Sequence, residues 1–157
     1  MTTLRIAGKE PYSTQDGIGL RYVVFFQGCK HGCVGCHNPH THNFLGGTET
    51  TTEEIIKDIR STAGITGVTI SGGDPFFQYE ALLDLCKKIR QQTALDIWVY
   101  TGFEEEEIVK LYPEILSYVD ALVLGKFIQE EKTSSLPYIG SKNQRVIYFL
   151  KAKGEGF

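Results

Sequence analysis

The chain has 157 residues, of which 41% are hydrophobic and 22% charged, and its formal net charge is -3. That length suffices for one domain with a core of its own. Lysines and arginines are scattered and form no stripe, which argues against a nucleic-acid partner, and no apolar run approaches the roughly 20 residues of a membrane span. The opening "MTTLRIAGKEPYS" lacks the apolar segment of a secretory signal, so the expected location is the cytoplasm, away from any membrane.

In chain order, "LRYVVFF" (20–26) is rich in β-branched and aromatic residues and predicts a buried strand. A cysteine loop follows it directly, "QGCKHGCVGCHNPHTH" (27–42). "TTEEIIKDIRSTA" (51–63) predicts a helix, with Thr51 and Glu54 as a capping box and Ile55, Ile56 and Ile59 on one face. "GVTIS" (67–71) predicts a short strand that runs into "GGDP". "YEALLDLCKKIRQQ" (79–92) predicts a helix with Leu82, Leu85, Cys86 and Ile89 on its apolar side. "LDIWVY" (95–100) predicts a strand ending in "TGF", with Trp98 in the core. "EEEEIVKLY" (104–112) predicts a short helix whose glutamates complement the positive end of its dipole. "YVDALVL" (118–124) predicts a strand ending in "GKF", and "RVIYFL" (145–150) a fifth. No repeat or linker interrupts the chain, so one domain over 1–157 is expected, with a frayed tail at 151–157.

Strands that alternate with helices predict an α/β fold with a mostly parallel sheet. The cysteine loop, "GGD", "TGF" and "GKF" each follow a strand. In parallel α/β folds such positions gather on one rim, where active sites form. A closed eight-stranded barrel takes about 250 residues, so the expected architecture is an open partial (βα) barrel.

Cys29, Cys33 and Cys36 lie within eight residues, too close for a disulfide framework in a reducing compartment. Cys86 reads as a core thiol. Two metal readings remain for the loop. A structural zinc site would use three cysteines and one of His31, His37, His40 and His42, in a non-enzymatic interaction module. A [4Fe-4S] cluster held by three thiolates would keep one iron open, and an open metal position is where a substrate binds.

The C-x3-C-x2-C loop resembles the cluster motif of the radical S-adenosylmethionine (SAM) enzymes. "DGIGLRYVVFFQGC" (16–29) resembles the approach to the cluster loop in activases of glycyl-radical enzymes. With "CHNP" (36–39), "SGGDP" (71–75), "IWVYTGF" (97–103), "LGKF" (124–127) and "GSKNQR" (140–145) in order, the chain resembles the activators of anaerobic ribonucleotide reductases. The activators of pyruvate formate-lyase are the neighbouring alternative.

The resemblance implies an oxidoreductase in which Cys29, Cys33 and Cys36 ligate three irons and SAM chelates the fourth. It implies that Gly72 and Gly73 let backbone groups approach the methionine part of SAM, and that Asp74 accepts a hydrogen bond from its ammonium. Asp74 stands where many radical SAM enzymes have Glu, and Gly35 where many have an aromatic residue. The reductase activators share both features. Adenine contacts are then expected from Gly35, Cys36 and His37. Tyr100 and Thr101 either touch SAM or simply end a strand. Lys126 and Arg145 either hold SAM or the partner, or form surface salt bridges. The implied reaction is reductive cleavage of SAM, leading to a glycyl radical on the reductase large subunit. The implied partners are that subunit and a one-electron donor such as flavodoxin, with a homodimer of the activator as a further expectation.

Overall fold

The computed structural model describes residues 2–28, 46–126, 133, 138–139, 141 and 143–149. Within them, seven strands form one sheet in the order β3-β1-β2-β4-β5-β6-β7. The strands are β1 (Thr3–Ser13), β2 (Arg21–Phe26), β3 (Thr48–Thr51), β4 (Gly67–Gly72), β5 (Asp96–Tyr100), β6 (Ala121–Leu124) and β7 (Arg145–Tyr148). The central run β2-β4-β5-β6 is parallel. β1 pairs antiparallel with β2 and β3, and β7 antiparallel with β6.

The sheet is therefore mixed, and the expectation of a mostly parallel one holds only for its centre. The difference arises at the edges. β1 and β3 were not predicted. The 11 residues of β1 carry Gly8 and Pro11 and two register irregularities against β2, which destroys the period-2 signal. β3 is four residues long and reads "TETT", too short and polar to stand out.

Helices α1 (Thr52–Arg60), α2 (Tyr79–Gln92) and α3 (Glu105–Leu111) cover one face. Thr51 caps α1 by accepting from the Glu54 N–H at 3.1 Å. The reciprocal half of the predicted capping box is replaced, because the Glu54 carboxylate accepts from the Thr50 hydroxyl at 2.9 Å. α3 begins with the Glu107 carboxylate accepting from the Glu104 N–H at 2.9 Å. Among the described residues no helix is long and apolar enough to cross a membrane.

Alternation along each strand decides what goes where. Tyr22, Val24, Phe26, Val68, Ile70, Ile97, Val99, Leu122 and Leu124 meet Ile55, Ile56 and Ile59 of α1, Leu82, Leu85, Cys86 and Ile89 of α2, and Ile108 of α3. The opposite face carries Trp98, Ala121 and Val123, packed with Tyr100, Tyr138, Ile139 and Val146. At its base lies Arg21, fully buried and ion-paired with Asp96 at 2.6 Å.

Candidate active site at the strand ends

The four parallel strands deliver four turns to one rim: Gln27–Gly28, Gly73–Asp74, Thr101–Phe103 and Gly125–Lys126. Hydrogen bonds join them one to the next. The Gly73 N–H donates to Phe26 O at 2.9 Å, and the Asp74 N–H to Gly28 O at 2.8 Å. The Asp74 carboxylate reaches across to the turn after β5, where it accepts from the Gly102 N–H at 2.8 Å. The Gly125 N–H donates to Phe103 O at 3.1 Å. The Gln144 side-chain amide donates to Gly125 O at 2.9 Å and that of Asn143 to Lys126 O at 2.8 Å. The rim is thus a continuous belt of backbone turns.

Cys29, Cys33, Gly35, Cys36 and His37 lie outside the described residues, in the segment 29–45. Both ends of that segment are tied down. Gly28 accepts from the Asp74 N–H. At the other end the Arg5 guanidinium donates to Gly46 O at 2.8 Å and Gly47 O at 3.0 Å. The Gln78 amide nitrogen donates to Gln27 O and Arg5 O, both at 2.8 Å, joining the two anchors. Sequence reasoning missed Arg5 and Gln78. Their only signal is that "PFFQ" follows "GGD", which carries no chemistry on its own.

Asp74 is fully buried. Oδ1 accepts from the Phe76 N–H at 3.0 Å, which starts the 3-10 turn Pro75–Gln78. The Thr101 hydroxyl lies 2.8 Å from Oδ2 and 3.0 Å from Oδ1. Gly72 has φ +113, and a Cβ there would overlap the backbone nitrogen and carbonyl oxygen of Phe26. Its missing side chain thus serves the close pass of β4 against β2.

Tyr100 and Thr101, expected together, separate. Thr101 turns its hydroxyl to Asp74. Tyr100 faces the side of the sheet opposite the helices, beside Trp98 and Val146. Burial first, then the charge of Asp16, hold its phenol well above the usual range. Arg145 pairs with Glu105 at 3.4 Å, with 48% and 43% of the two side chains exposed, the salt bridge of the two alternatives. Lys126 is exposed. "GSKNQR", read as a family signature, serves locally as the fastener of the β6 turn through Asn143 and Gln144.

A single iron-sulfur cluster fits the donors this chain offers. Among the described residues, no group of three or more His, Cys, Asp or Glu is arranged to hold a metal. Cys86 is fully buried against the sheet, with its thiol pushed up to about 12 by desolvation. The three loop cysteines, the first of them one residue beyond the anchored Gly28, are the remaining thiols, and such donors suit iron-sulfur clusters.

Comparison with known proteins defines the class first: residues 15–147 match the family described as a 4Fe-4S single cluster domain. An anaerobic ribonucleoside-triphosphate reductase-activating protein of Haemophilus influenzae is 36% identical over 146 residues, covering 88% of this chain and 94% of that one. The proteins of that name from Vibrio cholerae and Escherichia coli are 35% and 34% identical, covering 88% and 90% of this chain and 94% and 96% of their own. The chain belongs to the family of anaerobic ribonucleoside-triphosphate reductase-activating proteins. Among solved structures, the crystal structure of QueE from Escherichia coli superposes with a TM-score of 0.54 at 20% identity, over 64% of this chain. The chain spans about half the length of that structure, 53%, and the likeness is one of fold.

Proposed function

We propose that this chain activates an anaerobic ribonucleoside-triphosphate reductase as a radical SAM oxidoreductase, folded as an open partial (βα) barrel. In this reading Cys29, Cys33 and Cys36 hold a [4Fe-4S] cluster whose fourth iron is left to SAM. Gly35, Cys36 and His37 lie against its adenine, and the turn Gly72–Gly73–Asp74 walls its amino-acid end. One observation carries the reading: the Asp74 N–H donates to Gly28 O at 2.8 Å, so the "GGD" turn is bonded to the residue before the first cysteine.

The chemistry supplied when cluster and SAM are bound is one-electron cleavage of the sulfonium and removal of an α-hydrogen from a glycine of the reductase large subunit. The chain's own residues serve that chemistry in two ways. The hydrogen-bonded belt holds the rim turns in one geometry, so SAM would meet backbone groups already in position. The buried rings of Phe26 and Phe76 seal the helix side below the rim against water. On the face opposite the helices, burial keeps the Tyr100 phenol protonated at neutral pH. The electron comes from an external donor of the flavodoxin type.

The test is anaerobic. The protein is reconstituted with iron and sulfide, reduced, and mixed with SAM and the reductase. A glycyl-radical doublet in electron paramagnetic resonance is expected. A protein that binds zinc tightly and cleaves no SAM would instead be the interaction module.

A further inference from the structure

The carboxylate of the "GGD" turn is committed inside the protein. Among the described residues, three donors meet its two oxygens: the Phe76 N–H, the Gly102 N–H and the Thr101 hydroxyl. A carboxylate offers about four acceptor sites, and here the residue is fully buried. The relay runs one step further. Thr101 Oγ1 accepts from the Phe103 N–H at 3.1 Å, so a single hydroxyl both donates to Asp74 and shapes the turn after β5. The two residues stand 27 apart in sequence and lie in the turns that follow the neighbouring strands β4 and β5.

We propose that Asp74 and Thr101 form one positioning unit for SAM: the carboxylate acts through the Thr101–Phe103 turn and does not itself touch the SAM ammonium. The proposal rests on the radical SAM reading above and changes the role of the acid within it. Recognition of the amino-acid end of SAM then falls to backbone groups of the two turns, which the Asp74–Thr101 bridge holds at a fixed separation. Charge at Asp74 is needed because it satisfies two N–H groups and a hydroxyl together. An amide side chain would turn a donor toward one of them.

Equilibrium dialysis of SAM against the reconstituted protein tests this with Asp74→Asn, Thr101→Val, the double variant and Thr101→Ser. Each of the first two is expected to weaken SAM binding roughly tenfold, the scale of one buried hydrogen bond left unmade. The double variant is expected to be no weaker than either single one, because both break the same bridge. Thr101→Ser keeps the hydroxyl and is expected to bind like the unsubstituted protein. A second readout needs neither cluster nor SAM: exchange of the Gly102 amide proton is expected to quicken in both Asp74→Asn and Thr101→Val. A direct carboxylate–ammonium contact would look different. Thr101→Val would then bind SAM normally while Asp74→Asn lost it, and that pattern overturns the proposal, as does unchanged Gly102 exchange in Thr101→Val. If Asp74→Asn fails to fold, Thr101→Val still decides by either readout. Should the unsubstituted protein bind no SAM at all, the functional reading falls, and the exchange measurement alone decides whether the bridge exists.

Discussion

Arg21→Met removes a buried charge at the base of the sheet face opposite the helices, and its cost can be worked from the contacts. The guanidinium donates to Thr69 Oγ1 at 2.7 Å, Ile18 O at 2.8 Å and Val68 O at 2.9 Å, pairs with Asp96, and lies 5.4 Å from the Trp98 ring centre. Methionine fills much of the volume but leaves the buried Val68 O and the part-buried Ile18 O without this donor, and Asp96 without its partner. Removing one partner of a buried ion pair costs about 3–5 kcal/mol. Asp96 keeps 24% of its side-chain surface in solvent, which puts the loss near the lower end. A domain of this kind has a total stability of about 5–15 kcal/mol. With a urea dependence of about 2 kcal/mol per molar, a loss of about 3 kcal/mol lowers the unfolding midpoint by roughly 1.5 M. Circular dichroism during anaerobic urea titration reads this directly. A midpoint within about 0.5 M of the parent would show that Arg21 is a bystander and that the face is held by packing alone.

Gly72→Ala forces a Cβ into the β2 backbone at φ +113, so the variant is expected to unfold at lower urea and to lose SAM affinity; unchanged values of both would refute the close-pass reading. Cys86→Ala is expected to keep full iron content and to cost about 1–2 kcal/mol for the cavity left among Leu82, Leu85 and Ile89. With its thiol pushed up to about 12, only about one Cys86 in ten thousand is thiolate at pH 8, so peptide mapping after brief alkylation of the folded protein should find Cys86 unmodified. The Lys9 ammonium, then the Tyr22 hydroxyl, hold the Asp58 carboxyl below its usual range. That stability is present above the unfolded value near 4 and is lost as pH falls through the folded value, so Asp58→Asn should flatten the acid limb of stability below about pH 4.

What the sequence could reveal followed from local periodicity. The helices over 51–63 and 79–92 were legible because their apolar residues recur every three to four positions, and the buried faces of α1 and α2 are the predicted ones. Cys86 was legible for the same reason. Arg21 was not. Inside "LRYVVFF" a charge reads as the polar start of a strand, and the partner that permits its burial is Asp96, 75 residues away. Thr101 was named as a candidate, but its bond to Asp74 was hidden in the same manner. Its partner Asp74 is known only when β4 and β5 are known to be neighbours, and no spacing along the chain states that. β1 was hidden because Gly8, Pro11 and two register shifts break the alternation that strand prediction relies on.

The rim motifs among the described residues fasten one turn to the next, and a loop proposed to carry a metal group gives a reason. In the proposed reading the segment 29–45 would bring three thiols to one point, at a cost in backbone entropy for every residue ordered. Part of that cost depends on how freely the loop's ends move, because loop closure restricts their relative positions. Here Gly28 is bonded to the Asp74 N–H, Gly46 and Gly47 to the Arg5 guanidinium, and Gln78 bridges the two sides. The same logic extends along the belt, where Asp74 and Thr101 lock the β4 turn to the β5 turn, and Asn143 and Gln144 hold the β6 turn. Among the described residues, the side chains of Asp74, Thr101, Asn143 and Gln144 fix where backbone groups of the rim turns stand. In the proposed site, rim turns already fixed by these bonds would need little rearrangement when a charged ligand arrives, so that part of the ordering is completed on folding and is not charged against binding.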